Sequence, residues 1–292
     1  MKLSKGQKLF NVFNVIFLLA AALSCVLPIV HILALSLSSN NAASAGFVKL
    51  WPVQPNFNSY DYVFKRAQFW RSFIISIERV GLGVFVNMLL TILIAYPLSK
   101  ESHRFKSRTA YVWIFFFTSL FSGGLIPGYM LVYSLKLIDT LWVLVLPGAV
   151  PVFNVILLLN FFRQLPIELE EAALIDGASH WRILWRIYVP TSTPALATLV
   201  LFCAVGHWNS WFDGMIFMNR PEHYPLQSYL QSVIVMRDLS LVGSDAWRDL
   251  MQISDRTVKA AQIFMGALPI LMVYPFLQRY FVKGIVLGSV KG

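Results

Sequence analysis

Six long apolar runs, at about 11–37, 72–98, 109–135, 140–162, 191–217 and 258–282, leave this chain few ways to fold. Each supplies the roughly 20 residues that an α-helix needs to cross a bilayer. Backbone polar groups cannot face lipid unpaired, so such runs must close their own hydrogen bonds as helices. The period-two alternation of a barrel wall is absent. Composition agrees: 57% of the 292 residues are hydrophobic and 13% are charged, where a soluble domain carries about 25% charged residues. The expectation is an all-α membrane protein, one domain over 1–292, with six transmembrane helices.

The first run needs separating from a cleavable leader. Lys2, Lys5 and Lys8 precede it, and Ala-Leu-Ser-Cys at 22–25 resembles a lipoprotein cleavage box. The apolar stretch continues past Cys25 to Leu37, which is long enough to span, so an uncleaved first helix is expected. Cys25 and Cys203 both sit in apolar runs and read as small buried hydrophobes, with no disulfide framework or zinc spacing.

The net charge of +10 is distributed in short connections between spans. That argues against nucleic acid and for basic anchors at one membrane face. Thirteen Lys and Arg residues fall in the N-terminus, the connections after spans two and four, and the C-terminus. Nine fall in the much longer segments on the other side. The denser face is cytoplasmic by the positive-inside rule, which puts both termini inside. Residues 38–71 and 218–257 become the outer loops, and 163–190 a cytoplasmic loop.

That cytoplasmic loop is polar between two spans. Pro166 suits a first helical turn, and Glu168, Glu170 and Glu171 place negative charge where a helix N-terminus favours it. Ala172, Ala173, Leu174 and Ile175 extend the helix, and Gly177 stops it or turns it sharply. The apolar side, Ala172, Ala173 and Ile175, has no lipid to enter and calls for a partner groove. An ordinary amphipathic interfacial helix is the alternative that physical reasoning leaves open.

Resemblance separates the two. Glu171-Ala172-Ala173, Asp176-Gly177-Ala178, Ile187 and Pro190 resemble, at the expected spacing, the EAA loop of binding-protein-dependent ABC importer permeases. Val189 stands where Leu is usual. Ala95-Tyr96-Pro97-Leu98-Ser99, Phe121-Ser122-Gly123-Gly124-Leu125-Ile126-Pro127, Trp208-Asn209 and Gly288-Ser289-Val290-Lys291-Gly292 extend the likeness. Together they are similar to MalG-like carbohydrate permeases, in the LplC/YtcP-like branch that takes up large plant or algal oligosaccharides, acidic pectin or alginate fragments among them.

The resemblance implies a type I ABC importer (MetI-like) fold in the bacterial cytoplasmic, or inner, membrane. It implies two ATPase subunits that carry ATP and Mg, a second and different permease subunit, and an extracytoplasmic solute-binding protein. The chain itself would be no enzyme and hold no cofactor or metal; it has no Gly-Lys-Ser/Thr phosphate loop. The loop residues just named would couple to the ATPase. Gly288, Ser289, Val290 and Lys291 would touch it from a tail that Gly284 and Gly288 make flexible.

Three further clusters are candidates. His207, Trp208, Asn209, Trp211 and Asp213 set aromatic rings beside hydrogen-bonding groups, which suits the C–H faces and hydroxyls of a sugar in a substrate path; an interfacial aromatic belt is the alternative. The second outer loop resembles a family loop that reaches into the binding protein, which makes Glu222, His223, Tyr224 and Gln227 the candidates for that contact. Gly123, Gly124, Pro127 and Gly128 interrupt span three as a hinge or a packed bend. An ion-coupled secondary transporter or channel, the other function class, needs buried acids, and the spans offer only Glu78 and the edge residue Asp213.

Overall fold

The computed structural model describes residues 4–101, 103–235 and 255–289. Every regular element among them is helical. In chain order these are α1 (Lys5–Ser36), α2 (Asn40–Ser44), α3 (Asn58–Lys65), α4 (Ala67–Ser99), α5 (Arg108–Leu120) and α6 (Leu125–Ser134). Two 3₁₀ turns, Leu141–Leu144 and Leu146–Gly148, lead to α7 (Val152–Arg163), α8 (Glu168–Ile175) and α9 (His180–Ile183). A π-type turn, Leu184–Tyr188, joins α9 to α10 (Val189–Thr191). Then come α11 (Thr193–Asn209), α12 (Phe212–Phe217), α13 (Leu226–Val235) and α14 (Asp255–Ser289).

The chain, expected as one domain, divides into two compact units: Met1–Trp70 with Leu230–Pro269, and Arg71–Tyr229 with Ile270–Gly292. In the first unit, α1 opens on a capping box in which Ser4 and Gln7 satisfy each other's backbone N–H groups. Its long apolar surface is exposed, Leu9, Phe13 and Phe17 included, as a helix meant for lipid or a partner would be. The segment expected as the first outer loop is folded locally: Ser38 Oγ accepts from Val53 N at 3.0 Å, and Tyr60 and Ser36 share a 2.7 Å hydrogen bond. His31 is exposed and donates to the Lys49 carbonyl at 2.5 Å.

In the second unit α4 carries Met88, Ile92, Ala95 and Tyr96 against Val155, Leu158 and Phe162 of α7, with Ile183, Leu184, Tyr188 and Leu199 closing the core. Among the described residues, α1, α4 and Arg256–Val273 are each long and apolar enough to cross a membrane. The spans expected at 109–135 and 140–162 are broken, with bends of 111° and 52° between their halves, and an 83° bend separates His180–Thr191 from α11 at the start of the span expected at 191–217. Each break has a chemical cause. Gly124 takes φ +85, which only glycine adopts readily, so α5 stops and α6 restarts. Gly148 ends a 3₁₀ turn, and Asn87 Nδ2 donates to the freed Gly148 and Ala149 carbonyls at 2.8 and 2.9 Å; broken helices survive in membranes where such partners exist. Pro190 and Pro194 each lack the N–H that a continuous helix would use, and the chain turns between them. A further break at Ser210 separates α11 from α12 inside the fifth expected span.

Candidate functional site

The polar loop forms a helix–glycine–helix whose turn is a Schellman motif. After α8, the Gly177 N–H bonds the Leu174 carbonyl at 3.0 Å and the Ala178 N–H bonds Ala173 at 2.9 Å. Gly177 has φ +75 and open space where a side chain would be, so backbone conformation requires glycine there. Ser179 then caps α9, accepting from Arg182 N at 3.4 Å.

This turn sorts the expected coupling residues into two groups. Ala173, Ala178 and Ile187 are half-buried and pack against the core. That corrects the reading that put Ala173 on the free apolar side: the Schellman turn brings residues 173 and 178 together and inward. Glu171, Ala172, Asp176, Gly177 and Pro190 are exposed. With them lie Leu174, Trp181 and Ile175, the last 86% exposed.

An ion cluster holds the loop to the end of α4. The Glu170 side chain is 3% exposed; its carboxylate meets Lys100 Nζ at 2.6 Å and accepts from the Tyr188 hydroxyl at 2.6 Å. Arg104 reaches Glu170 at 3.4 Å and Glu171 at 3.1 Å. Lys100 lies 3.9 Å from the centre of the Tyr96 ring and 4.2 Å from that of Tyr188, within cation–π range. Tyr96 shares a 3.2 Å hydrogen bond with His180 Nδ1. Burial would raise the Glu170 carboxyl, but hydrogen bonds from Lys100 and Tyr188 and the charges of Lys100 and Arg104 outweigh it and hold it below its ordinary value. Burial lowers the Lys100 ammonium despite Glu170. Sequence reading gave Glu170 a helix-dipole role and missed Lys100, Tyr96 and Tyr188. The partners stand 70 residues apart, and the only local signal was a lone Lys at the end of an apolar span.

The sugar-path candidates do not converge. His207 and Asp213 line a cavity of about 420 Å³ with Arg79, Asn87, Asn154 and Ser210. Trp208 is buried edge-to-face on Phe73, and Asn209 and Trp211 are exposed away from the cavity lining. His207 Nε2 donates to Asn87 Oδ1 at 2.7 Å, and Gly83 leaves room for the imidazole, which a Cβ would overlap. Arg79, 2% exposed, forms a fork-on-carboxylate pair with Asp213 and donates to the Ser210 carbonyl at 3.1 Å. Glu78 is exposed.

The outer-loop candidates are tied down within their own unit. His223 Nδ1 donates to Asp139 at 2.9 Å, Asn219 N donates to the same oxygen at 3.2 Å, and Glu222 pairs with Arg71 at 3.2 Å. Burial would raise the Asp139 carboxyl, but the His223 hydrogen bond and charge and the Asn219 and Arg220 N–H groups bring it below its ordinary value. Tyr224 packs on Val132 and Leu144, and Gln227 is half-buried. At the other end, α14 runs helically through Gly284 and Gly288 to Ser289, where a flexible tail was expected. Val290 and Lys291 lie outside the described residues.

A family model described as binding-protein-dependent transport system inner membrane component matches residues 3–287. Protein LplC of Bacillus subtilis is 40% identical, over 99% of this chain and 97% of that one. The polygalacturonan/rhamnogalacturonan transport system permease protein YtcP of the same organism is 38% identical, over 98% and 99%. A chain from the crystal structure of a bacterial ABC transporter involved in the import of the acidic polysaccharide alginate superposes with TM-score 0.88 at 35% identity, covering 96% of this chain and 99% of that one.

Proposed function

The chain belongs to the family of binding-protein-dependent transport system inner membrane components, and from that premise we infer that it is a membrane-spanning permease subunit of an ATP-driven oligosaccharide importer. It is a multi-pass inner-membrane protein. The observation that carries the mechanism is the helix–glycine–helix element: its inner face is keyed to α4 through Glu170 and Lys100, and its outer face shows Leu174, Ile175 and Trp181 to a partner. A rigid element with one face anchored and one face free can transmit a push from one subunit to the spans of another.

The proposed partners are two ATPase subunits that hold ATP and Mg, a second and different permease, and a solute-binding protein outside. Closure of the ATPase pair moves Glu171, Ala172, Asp176 and Gly177 as a unit. The displacement passes through Glu170 to Lys100 and α4, and the six spans rock between inward-open and outward-open. Both termini lie inside on this reading, and Gly288, Ser289, Val290 and Lys291 meet the ATPase. The outer loop carrying Glu222, His223, Tyr224 and Gln227 faces the binding protein. His207 and Asp213 border the sugar's way through. An ion-coupled mechanism has little to work with, because Asp213 is committed to Arg79.

The substrate class proposed is an acidic oligosaccharide, since the relatives at 35% and 38% identity whose names specify a cargo are named for alginate and for polygalacturonan/rhamnogalacturonan, while those named for melibiose, arabinooligosaccharides or galactooligosaccharides share only 24–25%. Native mass spectrometry of the chain purified from its own membranes tests the assembly: the expected mass is this chain with a different permease and two ATPase copies, and a chain found alone overturns it. Uptake into vesicles of the same complex with its binding protein tests the cargo. Uronate oligomers enter only with internal ATP; entry of neutral sugars alone overturns the acidic class and leaves the importer standing.

A further inference from the structure

Next to the coupling element lies a cavity of about 460 Å³ whose lining includes Lys100, Arg104, Arg108 and Arg163 against only Glu101 and Glu170. Two of the four cations are spoken for: Lys100 and Arg104 pair with Glu170 and Glu171. The other two are not. Arg108 Nε and Arg163 Nη2 both donate to one acceptor, the Leu98 carbonyl at the end of α4, at 2.8 and 3.4 Å. Among the described residues neither guanidinium meets a carboxylate.

Two like charges brought onto one oxygen repel, and each guanidinium commits only one of its five N–H donors to that oxygen. Such an arrangement is favourable when an anion with several oxygens accepts from both forks, as phosphate does. Phe162, Leu165 and Ile167 supply an apolar wall beside the cations. The cavity opens where α4, α5, α7 and α8 meet, which is the end of the spans that the family reading places at the cytoplasmic surface. Basic pockets at span ends on that side suit anionic lipid headgroups.

We propose that this cavity binds a phosphate group, held by Arg108 and Arg163, carried on an anionic phospholipid of the inner leaflet or free in the cytosol. The bound group neutralises the pair and steadies the α4 end to which Glu170 is anchored. The inference rests on the family reading only for the cytoplasmic placement.

The test uses the intact complex purified in mild detergent, in three forms: wild type, Arg163→Gln, and Arg108→Gln with Arg163→Gln. Phosphatidylglycerol is titrated in native mass spectrometry, and inorganic phosphate in a thermal-stability assay without lipid. The double variant is expected to bind the phosphate-bearing ligand about tenfold or more weakly, and the single variant to fall between. Loss of phosphatidylglycerol retention assigns the lipid; loss of stabilisation by inorganic phosphate assigns the free ion. Arg163→Gln leaves the Arg108 bond to Leu98 in place, so it decides the matter should the double variant not fold. If both ligands bind all folded forms equally, the proposal fails. It fails also if the variants shed the ATPase with ligand binding unchanged, since an acidic side chain of that partner then fills the site.

Discussion

Among the described residues the second unit holds two buried ionic sites, around Glu170 and around Arg79, and they are built in opposite ways. At the coupling element the carboxylate is hidden: Glu170 is 3% exposed and takes Lys100, Arg104 and the Tyr188 hydroxyl at once. At the cavity the cation is hidden: Arg79 is 2% exposed while Asp213 keeps 24%, and the Arg79 Nε finds no partner. A buried carboxylate held by three donors at once is costly to release, which suits an anchor. Asp213, paired with Arg79 but partly open beside the cavity, is the member that a hydroxylated ligand could reach. On the proposed function, the first pair suits force transmission and the second suits passage.

Breaking the anchor should have the larger effect. Glu170→Ala leaves Lys100 without its carboxylate in a site only 10% exposed, and the expected loss of stability is about 3–5 kcal/mol, read as a fall in thermal midpoint of the purified complex. The pH dependence has a definite sign. Because the folded Glu170 carboxyl lies below its ordinary 4.5, its contribution is fully present above that value and is lost as pH falls through the lower folded one. An acid melt of wild type should therefore show a step that Glu170→Gln lacks; identical melts would refute the anchor.

The cavity pair should give less in stability and more in transport. Asp213→Asn keeps the shape but strands the Arg79 charge, at about 2–3 kcal/mol because Asp213 still touches cavity water. Uptake should drop while ATP hydrolysis by the complex continues. If Asp213→Asn transports like wild type, the cavity is not on the path. Gly177→Val sharpens the same contrast from the coupling side. With φ +75, a β-branched residue there costs about 1–3 kcal/mol and tilts α8 against α9. Hydrolysis should persist without uptake, and coupled uptake at the wild-type rate would show that the turn does not transmit.

How much of this the sequence disclosed follows from the range of each interaction. The helical class, the long apolar elements and the glycine turn are local properties, written in hydropathy and in residues 166–178, and they were legible. The bends were only partly so: Gly123 and Gly124 announced one, but the break after Gly148 depends on Asn87, 61 residues away, supplying its amide. Ala173 looked outward by helical position until the Schellman turn folded it in. Lys100 and Arg79 carry no motif of their own, and the motif that holds Tyr96 says nothing of its partners. Their roles come from partners that tertiary packing delivers, and a single sequence holds no record of those distances.

The smallest effect separates both buried pairs from a surface one. Glu222 and Arg71 are 62% and 57% exposed at 3.2 Å, so water screens them and the pair contributes about 0–1 kcal/mol. Glu222→Ala should leave the thermal midpoint unchanged within error, and added salt should not distinguish it from wild type. If Glu222 serves the binding protein, the variant should instead raise the concentration of that protein needed for half-maximal uptake. A change in midpoint as large as that of Glu170→Ala would mean that burial does not rank these pairs, and the division between anchor and passage would lose its physical basis.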